Sequence, residues 1–529
     1  VMQAVWPDVQ VDENGLSQCI SALRRILGED PKAHRFIATV PGRGYRFLVG
    51  VTPDGNAPRS VAAMGAASAV RTATRSVAVL PFKPLGPDGP VASLELGMTD
   101  ALIMRIGELR DLDVRPLSSV RRYAGLDQDP LEAGRALGVH VVLDGSVQRH
   151  EGRLRASVRL LDVATGCQRW ADRFDEHFSD IFAVQDRIAE RVAGAVLSRL
   201  TEADQERLRK HPTEDPEAYQ LYVTGWSALT RPGGGNLREA LRDLEAATTR
   251  DPGFALAFVC VADCYALLGV FGLEAPHSVF PAARAAVTRA LELDDRLAEA
   301  HAELGHIHTV YDLDWPRADA AYQRALDINP HSAMTHHYIG LQMLAHGRTD
   351  DALVSIRRAQ ALEPLAANMN ANIGMVHYYA ERYDAAIAQL EATLQLDPSF
   401  DHARSFLGRA LLGLGECDRA IEQFQRRSGV TIGCNADLPA ALALGGRRRE
   451  ATVELNRLLR DSKTRYVSAF EIATIYAAMR QPEQALDWLE RAVDERSQPI
   501  NFLQLDPAFA GLRRSQRFLR LLKRLHRQQ

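Results

Sequence analysis

Cysteine, tryptophan and long apolar runs are scarce in this chain of 529 residues. Its 6 cysteines, at positions 19, 167, 260, 264, 417 and 434, are too few and too scattered for a disulfide framework. Most fall inside apolar helical patterns, which predicts reduced, buried thiols in a cytoplasmic protein. Cys260 and Cys264 stand four apart on a predicted helix, but no histidine at ligand spacing joins them, so no metal and no cofactor is expected. The start of the chain lacks the charged stretch, apolar stretch and cleavage site of a signal peptide. The uncharged run Ser60 to Val70 is too short to cross a bilayer, so no membrane partner is expected. Net charge is also small, at -4, so the chain as a whole is not a polyanion binder. Any nucleic-acid contact has to come from a local patch.

What is present is a large apolar fraction, 46%, with 25% charged residues, enough for several cores. A length of 529 residues predicts about three or four domains. The fold class read from the sequence is multidomain: a partial winged helix-turn-helix, a small α/β domain and an all-α repeat solenoid. The boundaries are drawn at 1–50, a flexible linker at 51–75, the α/β domain at 76–200, the repeats at 214–500 and a basic capping helix region at 501–529.

The first segment carries the strongest functional pattern. Leu16, Cys19, Ile20, Leu23, Ile26 and Leu27 share one helical stripe, leaving Ser17, Gln18, Ser21, Arg24 and Arg25 largely on the other. Two alternating runs, Phe36 to Val40 and Tyr45 to Val49, flank Pro41-Gly42-Arg43-Gly44, which predicts a hairpin with Arg43 at its tip. A polar helix face beside an arginine-tipped hairpin suits DNA, because hydrogen-bonding side chains can enter the major groove while a thin ribbon reaches phosphates or the minor groove. An ordinary solvated helix and hairpin would have the same periodicity.

The order VWPD at 5–8, NGLSQCISALRRILGEDP at 14–31 and RFIATVPGRGYRF at 35–47 resembles the second half of a winged helix domain of the response-regulator type. The resemblance implies a recognition helix at Gly15 to Leu27 and a wing at Phe36 to Phe47. It implies that Ser17, Gln18, Ser21 and Arg25 face bases or nearby phosphates, and that Arg24, Thr39 and Arg43 hold the DNA backbone. Members of that family have a small sheet and a first helix before this point. About fifty residues are too few to enclose a core, so upstream sequence or a supporting surface is expected. Arg24, Arg25, Lys32, Arg35, Arg43 and Arg46 exceed Asp8, Asp12, Glu13, Glu29 and Asp30 by a single charge. A monomer would therefore bind double-stranded DNA feebly, and a homodimer on DNA is expected.

After an Ala, Gly, Ser, Thr and Pro tract, Ser76 to Phe82 reads as a buried strand and Leu94 to Leu109 as a helix. Asp113 to Leu117 reads as a short strand and Pro130 to Leu137 as a helix. Val139 to Leu143, Gly145 to Arg149 and Leu154 to Leu161 read as strands, before a closing helix from Ile181 to Leu200. SVAVLPF, GMTDALIMRI, LGVHVVLDGSV and RWADRFDEHFSDIFAVQDRIAERV resemble the TolB-like amino-terminal domain of bacterial regulators. That implies an accessory or sensory module without catalytic residues. The cluster Asp172, Arg173, Asp175 and Glu176 reads as a solvated strand-to-helix junction, its acids favouring a helix start. Gly86 and Gly89 lack the following Lys-Ser or Lys-Thr of a phosphate loop.

In the second half, three independent marks share a period of 34: Gly340, Gly374 and Gly408; Ala318, Ala352, Ala386 and Ala420; Pro330, Pro364 and Pro398. Small residues let paired helices pack closely and the proline ends each pair. The units resemble tetratricopeptide repeats, of which about seven or eight are expected. Stacked pairs bury a continuous core and form a concave wall, here expected to hold a protein or peptide partner. Candidate groove residues on the first helices are His337, Tyr338, Asn370, Asn372, His377 and Arg404, although ordinary inter-helix contact competes at every one. His301, His306 and His308 lack zincin spacing and read as packing or groove residues. The tail Arg513 to Arg527 reads as a capping helix with a charged outer face, or as a second DNA or acidic-partner contact. Three functions follow: a transcription regulator, a non-DNA adaptor, or a regulatory subunit in cyclase signalling. With no cyclase catalytic segment in the sequence, enzyme activity is not expected.

Overall fold

The computed structural model describes residues 37–40, 44–47, 75–84 and 92–526, the last with short breaks within 108–111, 125–127, 151–152, 178–180, 198–210, 230–235 and 428–434. The chain divides into two units, Val1–Thr72 and Ala73–Gln529.

In the first unit, β1 (Ile37–Val40) and β2 (Gly44–Phe47) form the expected antiparallel hairpin, in the register Ile37↔Phe47, Thr39↔Tyr45 and Val40↔Gly44. The recognition-helix stretch and the linker lie outside the described residues.

The second unit begins with a mixed sheet. Its strands are β3 (Arg75–Val79), β4 (Lys83–Pro84), β5 (Leu112–Val114), β6 (Val141–His150), β7 (Arg153–Asp162) and β8 (Gln168–His177). They run in the order β5-β3-β6-β7-β8, with β4 also paired to β6. Pairing is parallel at β3 to β5 and β6, and antiparallel from β6 through β8. Helices α1 (Ala92–Gly107), α2 (Leu117–Val120), α3 (Pro130–Leu137) and α4 (Ile181–Val196) complete this part. The limits of α3 are written in the sequence: Asp129 accepts from the Leu131 amide at the start, and Gly138 takes the left-handed conformation, φ 63°, at the end.

Two expectations change here. Val139 to Leu143 and Gly145 to Arg149 form one strand, β6, because Gly145 does not break the ladder. A Cβ at Gly145 would lie 2.7 Å from the Phe82 ring and 3.0 Å from the Ser157 carbonyl, so the glycine marks a close approach. Asp172, Arg173, Asp175 and Glu176 are not at a helix start but inside β8. There Asp175 pairs with Arg153 and Arg155, Glu176 with Arg187 and Asp172 with Arg191. Charged residues can occupy every position of an edge strand when both of its faces reach water or an arginine, so the alternation that identifies strands was missing.

The remainder is helical. Eight antiparallel pairs follow: α5 (Pro216–Leu229) with α6 (Leu237–Arg250), α7 (Ala255–Val270) with α8 (Pro276–Leu293), α9 (Ala298–Ile307) with α10 (Trp315–Ile328), α11 (Ala333–Ala345) with α12 (Thr349–Leu362), α13 (Ala367–Tyr379) with α14 (Tyr383–Leu396), α15 (Asp401–Gly413) with α16 (Cys417–Gln425), α17 (Asp437–Leu444) with α18 (Arg448–Asp461), and α19 (Ala469–Ala478) with α20 (Pro482–Glu495). Helix α21 (Gln516–His526) ends the chain. In each of four pairs a first-helix glycine leaves no room for a Cβ: Gly305 against Tyr322, Gly340 against Ile356, Gly374 against Leu390 and Gly408 against Phe424. The 34-residue period of Gly340, Gly374 and Gly408 is the trace of three of these contacts, and Gly305 stands 35 residues before Gly340.

The sheet and the repeats are not separately packed. One cluster of buried apolar side chains runs from Val77 through Met98, Tyr219 and Phe254 to Val310. Cys260 and Cys264 lie in it as expected, whereas Cys167 is exposed at the turn between β7 and β8. The Thr165-Gly166-Cys167 stretch is a turn, and a turn has no buried side to offer a thiol.

Candidate nucleic-acid and partner surfaces

Seven residues were expected to face DNA. Thr39 sits in β1 opposite Tyr45, while Ser17, Gln18, Ser21, Arg24, Arg25 and Arg43 lie outside the described residues.

The six groove candidates sit on successive first helices, and four of them are buried. His337, Tyr338, Asn370 and Asn372 are all below one-tenth exposed, while His377 and Arg404 are partly exposed. Their bonds join neighbouring repeats. Asn372 Nδ2 donates to His337 Nε2 at 2.5 Å, and its Oδ1 lies 3.3 Å from His402 Nε2, so α11, α13 and α15 are linked in sequence. Asn370 Nδ2 donates to the Pro364 and Ala366 carbonyls just before its helix, and its Oδ1 accepts from Gln360 at 2.6 Å. Tyr338 stacks on His306 with ring centroids 4.2 Å apart and donates to Glu303 at 3.3 Å. Arg404 donates to the Pro398 carbonyl at 2.6 Å and to Gln423.

Burial keeps the histidines of this row uncharged. It holds the imidazole of His337 down to about 4, with the nearby His402 adding to the effect, and that of His306 down to about 3. In a neutral His337 whose Nε2 accepts from Asn372, the proton sits on Nδ1. That Nδ1 is buried with no hydrogen-bond partner among the described residues, as are His377 Nδ1, Glu303 Oε1, Gln342 Oε1 and Arg404 Nε. These orphaned donors and acceptors recur along α9, α11, α13 and α15. Each costs stability while it stays unpaired.

Residues missed by sequence reasoning lie at the other end of the chain. The segment after α20 turns back onto the repeats: Phe502 packs on Tyr379 with centroids 5.1 Å apart, and Tyr378 Oη donates to Asp506 at 3.4 Å. Gln498 donates to the Val310 carbonyl at 2.6 Å, His277 Nε2 lies 2.9 Å from the Asp494 carbonyl, and Arg496 reaches the Tyr311 carbonyl. No periodicity announces such contacts, because the partners stand 123 to 217 residues apart. The basic tail is a cap: Phe518, Leu521 and Leu525 are buried, and Arg517 pairs with Glu483, Asp487 and Glu490.

Two segments of the chain match known families. Residues 1–47 match the family described as transcriptional regulatory protein, C terminal, and residues 371–429 match the tetratricopeptide repeat family. The chain carries both kinds of domain. Among curated relatives, the transcriptional regulator HilA of Salmonella typhimurium is 24% identical over 396 residues, 73% of this chain and 66% of that protein. Putative adenylate cyclase 3 of Rhizobium meliloti is 35% identical over 182 residues, 34% of this chain and 31% of that one. The chain thus spans just under two thirds of the first and about a third of the second. Among solved structures, a human IFIT1 dimer with PPP-AAAA is 16% identical, covering 60% of this chain and 81% of that one, at a TM-score of 0.41. Among the described residues no helix is long and apolar enough to cross a membrane, and no group of three His, Cys, Asp or Glu residues is placed to hold a metal ion.

Proposed function

We propose that this chain is a cytoplasmic DNA-binding transcription regulator whose winged helix contacts promoter DNA, as a homodimer, and whose repeats hold a protein or peptide partner. The observation that carries the reading is the match of residues 1–47 to the regulatory DNA-binding family, in a chain similar to HilA over 73% of its length. The β1-β2 hairpin supplies the wing, and Arg43 stands between its strands. In this reading Ser17, Gln18, Ser21 and Arg25 read bases or nearby phosphates, while Arg24, Thr39 and Arg43 hold the backbone. The bounds are those drawn from the sequence, 1–50 for the DNA-binding part and 214–500 for the repeats. The groove candidates that reach solvent, His377 and Arg404 on successive first helices, support a partner: an extended peptide carries donors and acceptors that such side chains can meet. His377 and Arg404, partly exposed, are its contacts, and His337, Tyr338, Asn370 and Asn372 set the spacing of the helices that present them.

Promoter fragments titrated across a salt series test the DNA half. A regulator binds with a steep salt slope, Arg43→Ala lowers affinity on every sequence, and Gln18→Ala or Ser21→Ala changes which sequence is preferred. Equal behaviour of wild type and all three variants would reject the surface. A non-DNA adaptor is the second reading, favoured by the near-neutral first segment; it requires a peptide ligand and no retention on DNA at low salt.

A further inference from the structure

The face of the sheet turned away from the helices carries a groove. Helices α1 and α4 pack together over one side of the sheet, burying Leu154, Ala156, Val158 and Leu160 of β7. The alternate residues Arg153, Arg155, Arg159, Ala171 and Arg173 are exposed on the other side. A groove of about 660 Å³ lies there across β4, β6, β7 and β8.

Strand register orders its residues. Lys83 is paired with Ser146, Ser146 with Ser157 and Ser157 with Arg173, giving a row of cation, hydroxyl, hydroxyl, cation across four strands. At about 4.8 Å per strand the two cations stand roughly 14 Å apart along the backbone. The next row pairs Asp144 with Arg159 and Arg159 with Ala171. Ala171, across from Arg159, leaves the floor low.

Two of these groups are left incomplete. Asp144 is 4% exposed, and its Oδ2 takes Arg159 at 2.7 Å. Its Oδ1 is buried without a hydrogen bond among the described residues, and the Lys83 ammonium stands off at 3.7 Å. Among the described residues the Arg173 guanidinium has no ion pair, although those of Arg153, Arg155 and Arg159 each have one. A free guanidinium calls for an oxyanion, and a buried carboxylate oxygen calls for a donor.

We infer that this groove binds a phosphorylated, hydroxyl-bearing small molecule of nucleotide size. Its phosphate lies over Ser146 and Ser157 between Lys83 and Arg173, and a sugar hydroxyl donates to Asp144 Oδ1. Surrounding positive charge, with Lys83, Arg153, Arg155, Arg159 and Arg173 against Asp144, Asp172 and Asp175, favours the anion without any helix N-terminus. The site is independent of whether residues 1–50 bind DNA.

Calorimetric titration of the full chain with ADP, and separately with inorganic pyrophosphate, tests it. ADP should bind, and Arg173→Ala should weaken it by about tenfold or more with an unchanged melting profile, since that side chain holds nothing else. Ser157→Leu, which fills the floor, should abolish binding, while Arg187→Ala on α4 should not alter it. Asp144→Asn should weaken ADP more than pyrophosphate. Absence of ADP binding at millimolar concentration, or binding indifferent to Arg173→Ala and Ser157→Leu, overturns the site. Equal loss of both ligands in Asp144→Asn overturns the hydroxyl contact. Retention of single-stranded nucleic acid or an acidic peptide on this face in place of ADP overturns the ligand class.

Discussion

Tyr219 Oη, at the start of the repeat helices, donates to the backbone carbonyl of Gly97 in the α/β part at 2.6 Å, and both groups are buried. Gly97 is also where α5 comes closest: a Cβ there would lie 2.9 Å from a Val223 methyl. The hydroxyl and the missing side chain act on one joint, so the sheet and the first repeats melt together. Tyr219→Phe removes this bond but leaves the Gly97 carbonyl in the hydrogen-bond ladder of α1, and should cost about 0.5 to 1.5 kcal/mol. Gly97→Ala should cost about 1 to 3 kcal/mol by overpacking. Both should lower a single calorimetric transition. Two transitions, only one of them shifted, would show that the parts unfold apart.

Within the repeats, Gly374 faces Leu390 so closely that an added Cβ would lie 2.5 Å from the leucine. Gly374→Ala gains helix propensity but forces the pair of helices apart, and the clash should win by about 1 to 3 kcal/mol. Leu390→Ala alone should cost about 2 to 5 kcal/mol through the cavity it leaves. The double variant should be more stable than the sum of the two losses, because the new methyl occupies part of the vacated space. Denaturant titration of the four proteins measures that coupling, and strict additivity would mean the helices do not touch there.

These glycines explain how far the sequence could be read. A feature repeated at fixed spacing, such as Gly340, Gly374 and Gly408, or fixed by local chemistry, such as Asp129 and Gly138 around α3, was legible because its cause lies within one helix pair or one turn. The wing hairpin was legible for the same reason. Strand β8 was not, since its charges find arginines on β7 and α4, twenty-two and eleven residues away for Arg153 and Arg187. The contact of Asp506 with Tyr378 left no trace at all, because a contact 128 residues long imposes no period. The groove candidates were chosen by type and position, yet burial separates helix-spacing residues such as Asn372 from partly exposed ones such as Arg404, and burial is a property of the stacked solenoid.

Acid should loosen the inner row. His337 and His402, both held to about 4, and His306, held to about 3, stay neutral in the folded chain, and burial is the main cause for each. Unfolded, each would titrate near 6.5, so below that pH the unfolded state binds more protons and stability falls as pH drops toward 4. Buried carboxyls oppose this: burial lifts Asp100 to about 7, and its extra proton in the folded state favours folding below that value. The histidine share is therefore read by difference. His337→Gln should flatten the rise of stability between pH 4 and 6.5 by up to about 1.4 kcal/mol per pH unit. An unchanged slope would mean His337 is charged or exposed.

The returning C-terminal segment should matter far more than the many surface ion pairs. Phe502 is 8% exposed and joins the same apolar cluster as Tyr379, Phe406 and Leu411. Phe502→Ala should cost about 3 to 5 kcal/mol, because a ring is removed from a site that the flanking helices cannot close. Asp506 holds the same segment from inside, accepting from the Ala508 amide at 2.9 Å and from Tyr378. By contrast, Arg348 pairs with Asp351 at 2.7 Å with both side chains more than half exposed, and Arg348→Ala should shift stability by about 0.5 kcal/mol or less. Limited proteolysis separates the two effects. Phe502→Ala should speed cleavage near residues 497–515 and expose tyrosine fluorescence from Tyr378 and Tyr379, while Arg348→Ala should do neither. If cleavage there is as slow in Phe502→Ala as in the parent chain, the segment is held by the Arg496, Gln498 and His277 contacts instead, and Gln498→Ala becomes the variant that releases it.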